Sequence, residues 1–159
     1  MKLNIGDRAP AFNTFDSDKQ PLNSESLKGQ KILLLFIPAA FTSTCTKEFC
    51  AVRDDIARYN NLKVKVIGMS TDSVYALKKY KEDQQLNFIL ASDYNKDISA
   101  AFGSAYETFN FGMKGTSKRS AFIIDENNIV QYAEVLDNSS EIPNFEAINA
   151  MLEKMGMDV

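Results

Sequence analysis

The chain has 159 residues, close to the roughly 150 expected of one domain, and we predict a single domain spanning residues 1–159. Its 18 basic and 21 acidic residues give a net charge of −3, which argues against a nucleic-acid partner and against binding to an anionic membrane surface. It contains no histidine, which excludes hydrolases with an imidazole base and zinc sites with histidine ligands.

The apolar segments are too short to predict a membrane protein. The longest, from Ile32 to Phe41, has about ten residues and contains Pro38, whereas ~20 residues are needed to span a bilayer. The first residues lack the apolar stretch of a secretion signal, so we expect a cytoplasmic protein. Because that compartment is reducing, the two cysteines, Cys45 and Cys50, indicate thiol chemistry before they indicate a structural disulfide.

Four segments have the pattern of β-strands. After a turn at residues 16–19, residues 31–37 are apolar without alternation, as expected for a central strand covered on both faces. Residues 63–70 begin with alternating polarity and end apolar. Residues 120–125 and 129–134 flank an Asn-Asn turn, which predicts a closing hairpin.

Helical spacing occurs between these strands, at residues 42–59, 72–84, 97–102 and 141–155. The predicted order is β-α-β-α-β-α-ββ-α, in which a fifth strand lies between the helices at residues 72–84 and 97–102. Strands that alternate with helices pair in parallel, and a final hairpin adds antiparallel neighbours. We therefore predict an α/β protein with the thioredoxin-like fold, a mixed central β-sheet with helices on both faces. A flavodoxin-like fold is the alternative, although no glycine-rich phosphate loop follows the first strand.

The loop after the first long strand combines several features of a reactive thiol site. Pro38 cannot donate a ladder hydrogen bond and ends the strand, and the side chain of Thr42, Ser43 or Thr44 is suited to cap the following helix. Cys45 then lies in the first helical turn, where free amides and the helix dipole favour a thiolate. The alternative is that Cys45 is a small buried hydrophobic residue.

The spacing of the two cysteines leaves two interpretations of Cys50. Cys45 lies on the apolar stripe of its helix and is expected to be half sheltered. Cys50 lies about 140° around the helix from it, with Cα atoms roughly 8.5 Å apart. That exceeds the ~7 Å limit for a disulfide without backbone movement. Either Cys50 is a structural passenger, or the first turns unwind so that the two sulfurs meet.

The spacing Pro-x-x-x-Thr-x-x-Cys, formed by Pro38, Thr42 and Cys45, resembles the peroxiredoxin family. The resemblance extends over about residues 7–155 and implies a thioredoxin-like fold and a thiol peroxidase. Other segments that resemble the family are residues 48–54, 68–73, 90–93, 102–103 and 118–125.

The resemblance implies a role for five residues. The Cys45 thiolate attacks the terminal oxygen of hydrogen peroxide or an organic hydroperoxide and becomes a sulfenic acid. Arg119 and the Thr42 hydroxyl hold the two oxygens, Pro38 shields the sulfur from water, and Glu48 orients Arg119. No cofactor or metal is implied. Phe109, Phe111 and Tyr132 are candidates for the mouth of the pocket or for a dimer contact, but core packing is the default role of aromatic side chains, so we do not assign them to the site.

Two subgroups are compatible with the residues. The five-residue spacing from Cys45 to Cys50 resembles the bacterioferritin-comigratory-protein (PrxQ) group, which implies that Cys50 resolves the sulfenic acid and that a thioredoxin-like dithiol reduces the resulting disulfide. Residues 106–113 and 132–135 instead resemble the alkyl-hydroperoxide-reductase-E-like group of one-cysteine enzymes. The expected partners are a hydroperoxide and a thiol reductant, and the expected assembly is a monomer or homodimer.

Two functions of other classes also fit a cysteine pair. One is a redox-sensing binding or chaperone module in which the pair serves only as a switch. The other is a thioredoxin-type disulfide reductase, which is disfavoured because four residues, not two, separate Cys45 from Cys50.

Overall fold

A mixed five-stranded sheet forms the centre of the computed structural model, which describes residues 2–157. A separate antiparallel pair, β1 (Asn13–Phe15) and β2 (Pro21–Asn23), precedes it. The strands of the large sheet are β3 (Lys31–Phe36), β4 (Val64–Ser70), β5 (Ile89–Ser92), β6 (Arg119–Ile124) and β7 (Val130–Leu136). Their spatial order is β5-β4-β3-β6-β7. β3, β4 and β5 are parallel, whereas β6 is antiparallel to both β3 and β7. The antiparallel strands rule out the alternative of an all-parallel doubly wound sheet.

Helices separate the strands in the predicted order. They are α1 (Ser43–Asp54), α2 (Ile56–Asn61), α3 (Val74–Asp83), α4 (Asp97–Ala101) and α5 (Phe145–Met157), and a short 3-10 helix spans Asn110–Gly112. The sequence did not predict β1 and β2, because three-residue strands are too short to show alternation. Within residues 2–157, no helix combines the length and the apolar character needed to cross a membrane.

The predicted helix at residues 42–59 is two helices, because the chain leaves the helical conformation at Asp55 (φ −110°, ψ 19°). The Asp55 carboxylate accepts a hydrogen bond from Arg58 Nε at 2.7 Å, and its backbone N–H donates to the carbonyl of Val52, three residues back. Aspartate is a poor residue for a helix interior because its short side chain competes for nearby donors. The apolar stripe continued past this point, so periodicity alone did not reveal the break.

The last helix begins later than the predicted residue 141. Pro143 disfavours helical backbone at the residue before it, so the helix cannot start upstream. Asn144 follows, and its side-chain oxygen accepts the backbone N–H of Ala147 at 3.1 Å, as an N-cap residue does. The helix therefore runs over Phe145–Met157.

Helices cover both faces of the sheet, as predicted. β3 is buried along almost its whole length, and its alternate side chains enter two different cores. α1, α2, α3 and α5 cover one face, where the buried side chains include Leu33, Leu35, Phe49, Tyr59, Tyr80 and Leu152. α4 and the N-terminal segment cover the other, with Leu34, Phe36, Phe12, Leu22, Ile98 and Phe102.

The strand order brings two segments that are distant in the sequence to one edge of the sheet. Because β3 and β6 are antiparallel, the end of β3 pairs with the beginning of β6, with Phe36 opposite Ser120. α1 begins a few residues after β3, and Arg119 is the first residue of β6. The start of α1 therefore lies beside Arg119.

Gly68 in β4 lets α1 approach the sheet closely. A Cβ atom at this position would lie 2.7 Å from Cζ of Phe49 and 2.9 Å from Cδ2 of Leu90. Both distances are shorter than a carbon–carbon contact allows. Since Phe49 lies one turn after Cys45 on α1, the absence of a side chain at Gly68 helps to set the height of the reactive helix above the sheet.

We predict that Gly68→Ala lowers the free energy of unfolding by about 1–3 kcal/mol, the usual cost of overpacking a core. Urea unfolding followed by circular dichroism measures it. Gly156→Ala in α5 is the matched control, because its Cβ would meet Leu62 at 3.4 Å, an ordinary contact. Equal stability of the Gly68→Ala variant and the parent would contradict the packing described here.

Candidate active site

Cys45 is the third residue of α1, and only 1% of its surface is exposed. It is therefore more deeply buried than the half-sheltered position predicted from the sequence. Cys45 lies on the apolar face of α1 and packs in the core between this helix and the sheet. A cavity of about 190 Å³ is lined in part by Cys45 and Arg119, so a small molecule that enters it lies beside the cysteine.

A buried guanidinium contacts this sulfur. Arg119 Nη2 donates to Cys45 Sγ at 3.2 Å and to the backbone carbonyl of Ser139 at 2.9 Å. Arg119 Nη1 donates to Glu48 Oε1 at 3.0 Å. Arg119 is 1% exposed and Glu48 is fully buried, so water screens these interactions little. A fixed positive charge that donates to sulfur favours the thiolate, which is the nucleophilic form of cysteine.

Burial and mutual attraction act in opposite directions on the charged pair. Burial raises the pKa of Glu48 to about 7, even though the charge and hydrogen bond of Arg119 lower it. Burial lowers the pKa of Arg119, but the charges of Cys45 and Glu48 and their hydrogen bonds outweigh it and raise that pKa. Arg119 therefore stays charged, while the Glu48 carboxyl titrates near neutral pH. Its second oxygen, Oε2, has no hydrogen-bond partner.

Thr42 occupies the N-cap position of α1 but does not cap the helix with its side chain. Its hydroxyl donates instead to the carbonyl of Ala39 at 2.8 Å, which closes the loop after β3. The prediction of a side-chain cap from Thr42, Ser43 or Thr44 was therefore wrong for Thr42. Because the proton of the Thr42 hydroxyl is used, the lone pairs of its oxygen can accept a hydrogen bond from a molecule in the cavity.

The cavity is built from three loops. The loop after β3 supplies Pro38, the segment before β6 supplies Phe109 and Phe111, and the loop after β7 supplies Ser139 and Ser140. The lining residues are Pro38, Ala39, Thr42, Ser43, Thr44, Cys45, Phe109, Asn110, Phe111, Met113, Arg119, Ser139 and Ser140. Ser139 and Ser140 were missed because they lie far from Cys45 in the sequence and belong to no recognisable pattern.

Phe111 does not pack in the core, contrary to the default expectation. It is 99% exposed and its backbone lies in the left-handed region (φ 60°). Phe109 lies beside it at the cavity and stacks on Tyr106, with ring centroids 4.8 Å apart. Tyr132 is half-buried against the core, as expected. Phe109 and Phe111 line the cavity, which was the alternative to the default of core packing.

Cys50 lies on a different side of α1 from Cys45. It is half-buried, and its Sγ donates to Gln84 Oε1, at the end of α3, at 3.6 Å. Neither cysteine forms a disulfide. Because both residues belong to the continuous helix α1, the two sulfurs cannot meet while its first turns are intact.

Comparisons with known proteins agree with the geometry. The sequence profile of the AhpC/TSA family matches residues 5–133. A putative peroxiredoxin bcp of Coxiella burnetii is 34% identical over 131 residues, covering 82% of this chain and 87% of that protein. Peroxiredoxin Bcp of Escherichia coli is 33% identical over 131 residues, covering 82% and 84%. The crystal structure of peroxidoxin BcpB from Mycobacterium tuberculosis has a TM-score of 0.85 and 27% identity, covering 96% of this chain and 98% of that one.

We predict that Glu48 makes stability fall with rising pH. Its folded-state pKa of about 7 lies above the ordinary value of 4.5, so between these values the folded protein binds more protons than the unfolded chain. The stabilisation is complete below the ordinary pKa and is lost as the pH rises through the folded-state value. Urea titrations from about pH 4.5 to about pH 8 measure the free energy of unfolding.

Glu48→Gln is the matched variant, because its amide oxygen can still accept the hydrogen bond from Arg119 but does not titrate. The difference in stability between parent and variant should change with pH across this range. A difference that stays constant would show that Glu48 does not titrate as described.

Proposed function

Because the chain belongs to the AhpC/TSA family of peroxiredoxins, we propose that its Cys45 thiolate reduces hydrogen peroxide and organic hydroperoxides. The observation that carries the proposal is the buried Arg119 guanidinium, whose Nη2 lies 3.2 Å from Cys45 Sγ at the base of a small cavity. A cation at the sulfur also suits a redox-sensing cysteine, whereas a cavity with a second polar group, Thr42, beside the sulfur suits a bound substrate. This arrangement therefore supports a peroxidase over the redox-sensing or chaperone alternative.

The chemical step follows from the positions of these groups. The thiolate attacks the terminal oxygen of the hydroperoxide, the S–O bond forms and the O–O bond breaks. Cys45 becomes a sulfenic acid, and the departing oxygen takes a proton and leaves as water or an alcohol. Arg119 and the first-turn amides of α1 stabilise the charge that grows on the departing oxygen. The Thr42 oxygen accepts a hydrogen bond from the O–H group of the hydroperoxide, and Pro38 limits access of water.

We further propose that Cys50 resolves the sulfenic acid. Its thiolate attacks the Cys45 sulfur, forming a disulfide and releasing water after the start of α1 unwinds. The similarity to proteins named Bcp supports this choice over one-cysteine chemistry. A thioredoxin-like dithiol then reduces the disulfide by exchange, which requires a reducing compartment such as the cytoplasm.

One copy of the chain supplies the groups described around Cys45 in residues 2–157. Arg119, Glu48, Thr42 and Ser139 all come from the same chain as the reactive sulfur. These groups lie in one domain, which we propose to span residues 1–159, and either a monomer or a homodimer is compatible with the reaction. No step of the reaction uses a nucleic acid, a membrane, a metal or another cofactor.

We predict that Cys45→Ser abolishes catalytic consumption of peroxide in the presence of a thiol reductant, because the hydroxyl is not a nucleophile near neutral pH. Intact-mass spectrometry after one equivalent of peroxide then identifies the product in the parent chain. Loss of two hydrogens indicates a Cys45–Cys50 disulfide.

Cys50→Ser is the control for the resolving role. This variant should react once with peroxide and retain the added oxygen. Equal turnover of peroxide by the Cys45→Ser variant and the parent would exclude the peroxidase. An added oxygen that persists in the parent would exclude resolution by Cys50 and leave the first step intact.

We also predict that Arg119→Lys slows the oxidation of Cys45 about 100-fold, the usual effect of removing one donor from a charge-stabilising site. A lysine keeps the charge but cannot contact Cys45, Glu48 and the Ser139 carbonyl together. Quenched-flow mass spectrometry of a single turnover measures the rate. Arg53→Lys, a substitution near the end of α1 whose guanidinium donates to the Gln84 carbonyl at 2.6 Å and does not contact Cys45, should keep the parent rate. A parent-like rate for Arg119→Lys would remove Arg119 from the mechanism.

A further inference from the structure

The loop before α1 has a strained conformation that needs an external anchor. Phe41 has left-handed backbone (φ 66°), which is unfavourable for a bulky side chain and persists only where neighbouring contacts enforce it. This residue connects the cavity wall at Pro38 with Thr42 and the first turn of α1. The positions of Thr42 and of the first-turn amides therefore depend on whatever holds Phe41 and its neighbours.

A carboxylate from a different part of the fold provides such an anchor. The backbone N–H of Ala40 donates to Asp72 Oδ2 at 2.8 Å, across 32 residues of sequence. Hydrogen bonds to a charged acceptor are stronger than those between neutral groups. On the other side of Ala40, the ring of Phe41 packs on Tyr80 with centroids 5.0 Å apart. The apolar contact tolerates small shifts, whereas the hydrogen bond to Asp72 fixes the backbone.

Asp72 is itself held by the ends of two strands. Ser70 Oγ, at the end of β4, donates to the same Asp72 Oδ2 at 2.6 Å and accepts the Asp72 backbone N–H at 3.2 Å. Ser92 Oγ, at the end of β5, donates to the Asp72 carbonyl at 2.6 Å. These contacts fix the carboxylate relative to the central sheet, so the sheet determines where Ala40 lies.

The start of α3 does not need this carboxylate. Ser73, the next residue, is the N-cap of α3, and its side chain accepts the backbone N–H of Ala76 at 3.1 Å. Asp72 is thus not a capping residue of the helix that it precedes. Its carboxylate accepts one hydrogen bond from a buried serine and one from the loop that leads to Cys45.

We propose that Asp72 is a positioning residue for the peroxidase reaction. It holds Ala40 so that Thr42 and the first-turn amides of α1 face the hydroperoxide when Cys45 attacks. It also releases Ala40 when the start of α1 unwinds for disulfide formation. The second role rests on the proposed resolution by Cys50, whereas the first requires only that Cys45 reacts with peroxide.

The first role is tested in a Cys50→Ser background, where only the first chemical step takes place. Asp72→Ala should slow the formation of Cys45 sulfenic acid about tenfold or more, the factor that corresponds to one hydrogen bond to a charged group. Asp72→Asn keeps an acceptor for Ala40 and should recover a large part of the parent rate. Quenched-flow mass spectrometry with hydrogen peroxide measures all three rates.

Two control variants separate positioning from a general loss of stability or charge. Tyr59→Phe removes a hydrogen bond from Tyr59 to Asn149 (3.0 Å) at α5, away from the loop. Asp83→Asn removes a carboxylate from the outer surface of α3. Both should oxidise at the parent rate at a temperature where all variants are folded. A parent-like rate for Asp72→Ala, or an equal slowing in Tyr59→Phe, would overturn the proposal.

The second role is tested with Cys50 present. Asp72→Ala should convert sulfenic acid to disulfide faster than the parent, because one contact that opposes unwinding is gone. It should accordingly form less sulfinic acid at high peroxide concentration. A slower or unchanged disulfide step would overturn this role. Absence of disulfide in the parent would instead refute resolution by Cys50, and the rates in the Cys50→Ser background would still decide the first role.

Discussion

The buried guanidinium of Arg119 is the group on which the site depends. It lies between a cysteine sulfur, a buried carboxylate and a backbone carbonyl, and each of the three accepts a hydrogen bond from it. Transfer of charged groups from water to the protein interior costs free energy. The attraction between buried opposite charges offsets this desolvation cost only when their geometry is good. Loss of one partner leaves an uncompensated charge in the interior. Glu48 and Cys45 therefore form one electrostatic unit with Arg119, which the surrounding core shields from water except at the cavity that Cys45 and Arg119 line.

The sheet makes this unit possible. Antiparallel pairing of β3 with β6 sets the start of α1 beside the first residue of β6, so a contact between residues 74 positions apart follows from strand order. Parallel pairing of β3, β4 and β5 gathers their carboxyl ends at the same edge, where Asp72 reaches the loop before α1. The residues that hold the loop and the residues that hold the sulfur thus come from opposite halves of one sheet.

The sequence predicted the order of the five strands of the large sheet and the positions of helices between them, the mixed sheet, and the group formed by Cys45, Glu48 and Arg119. The element order and the mixed sheet were predicted from hydrophobic periodicity, because buried strands and amphipathic helices have different spacings of apolar residues. The prediction that Arg119 belongs to the site came from the resemblance to a family. Without it, an arginine would be expected at the surface. Helix breaks at Asp55 and before Phe145 depend on single side chains, so averaging over a window hides them. Ser139 contributes only a backbone carbonyl, an atom that every residue possesses, and no pattern of side chains could have identified it.

The placement of both cysteines on one short helix means that the moving part of the proposed catalytic cycle is very small. No hinge between domains is needed, since only the first turns of α1 must melt and reform. Isolated helices of about twenty residues relax in roughly 0.1–1 μs, far faster than the usual pace of thiol exchange. The rate of unwinding therefore depends on the neighbouring residues that contact those turns and the loop before them. One of them is Asp72, which accepts a hydrogen bond from Ala40 and lies outside the cavity lining.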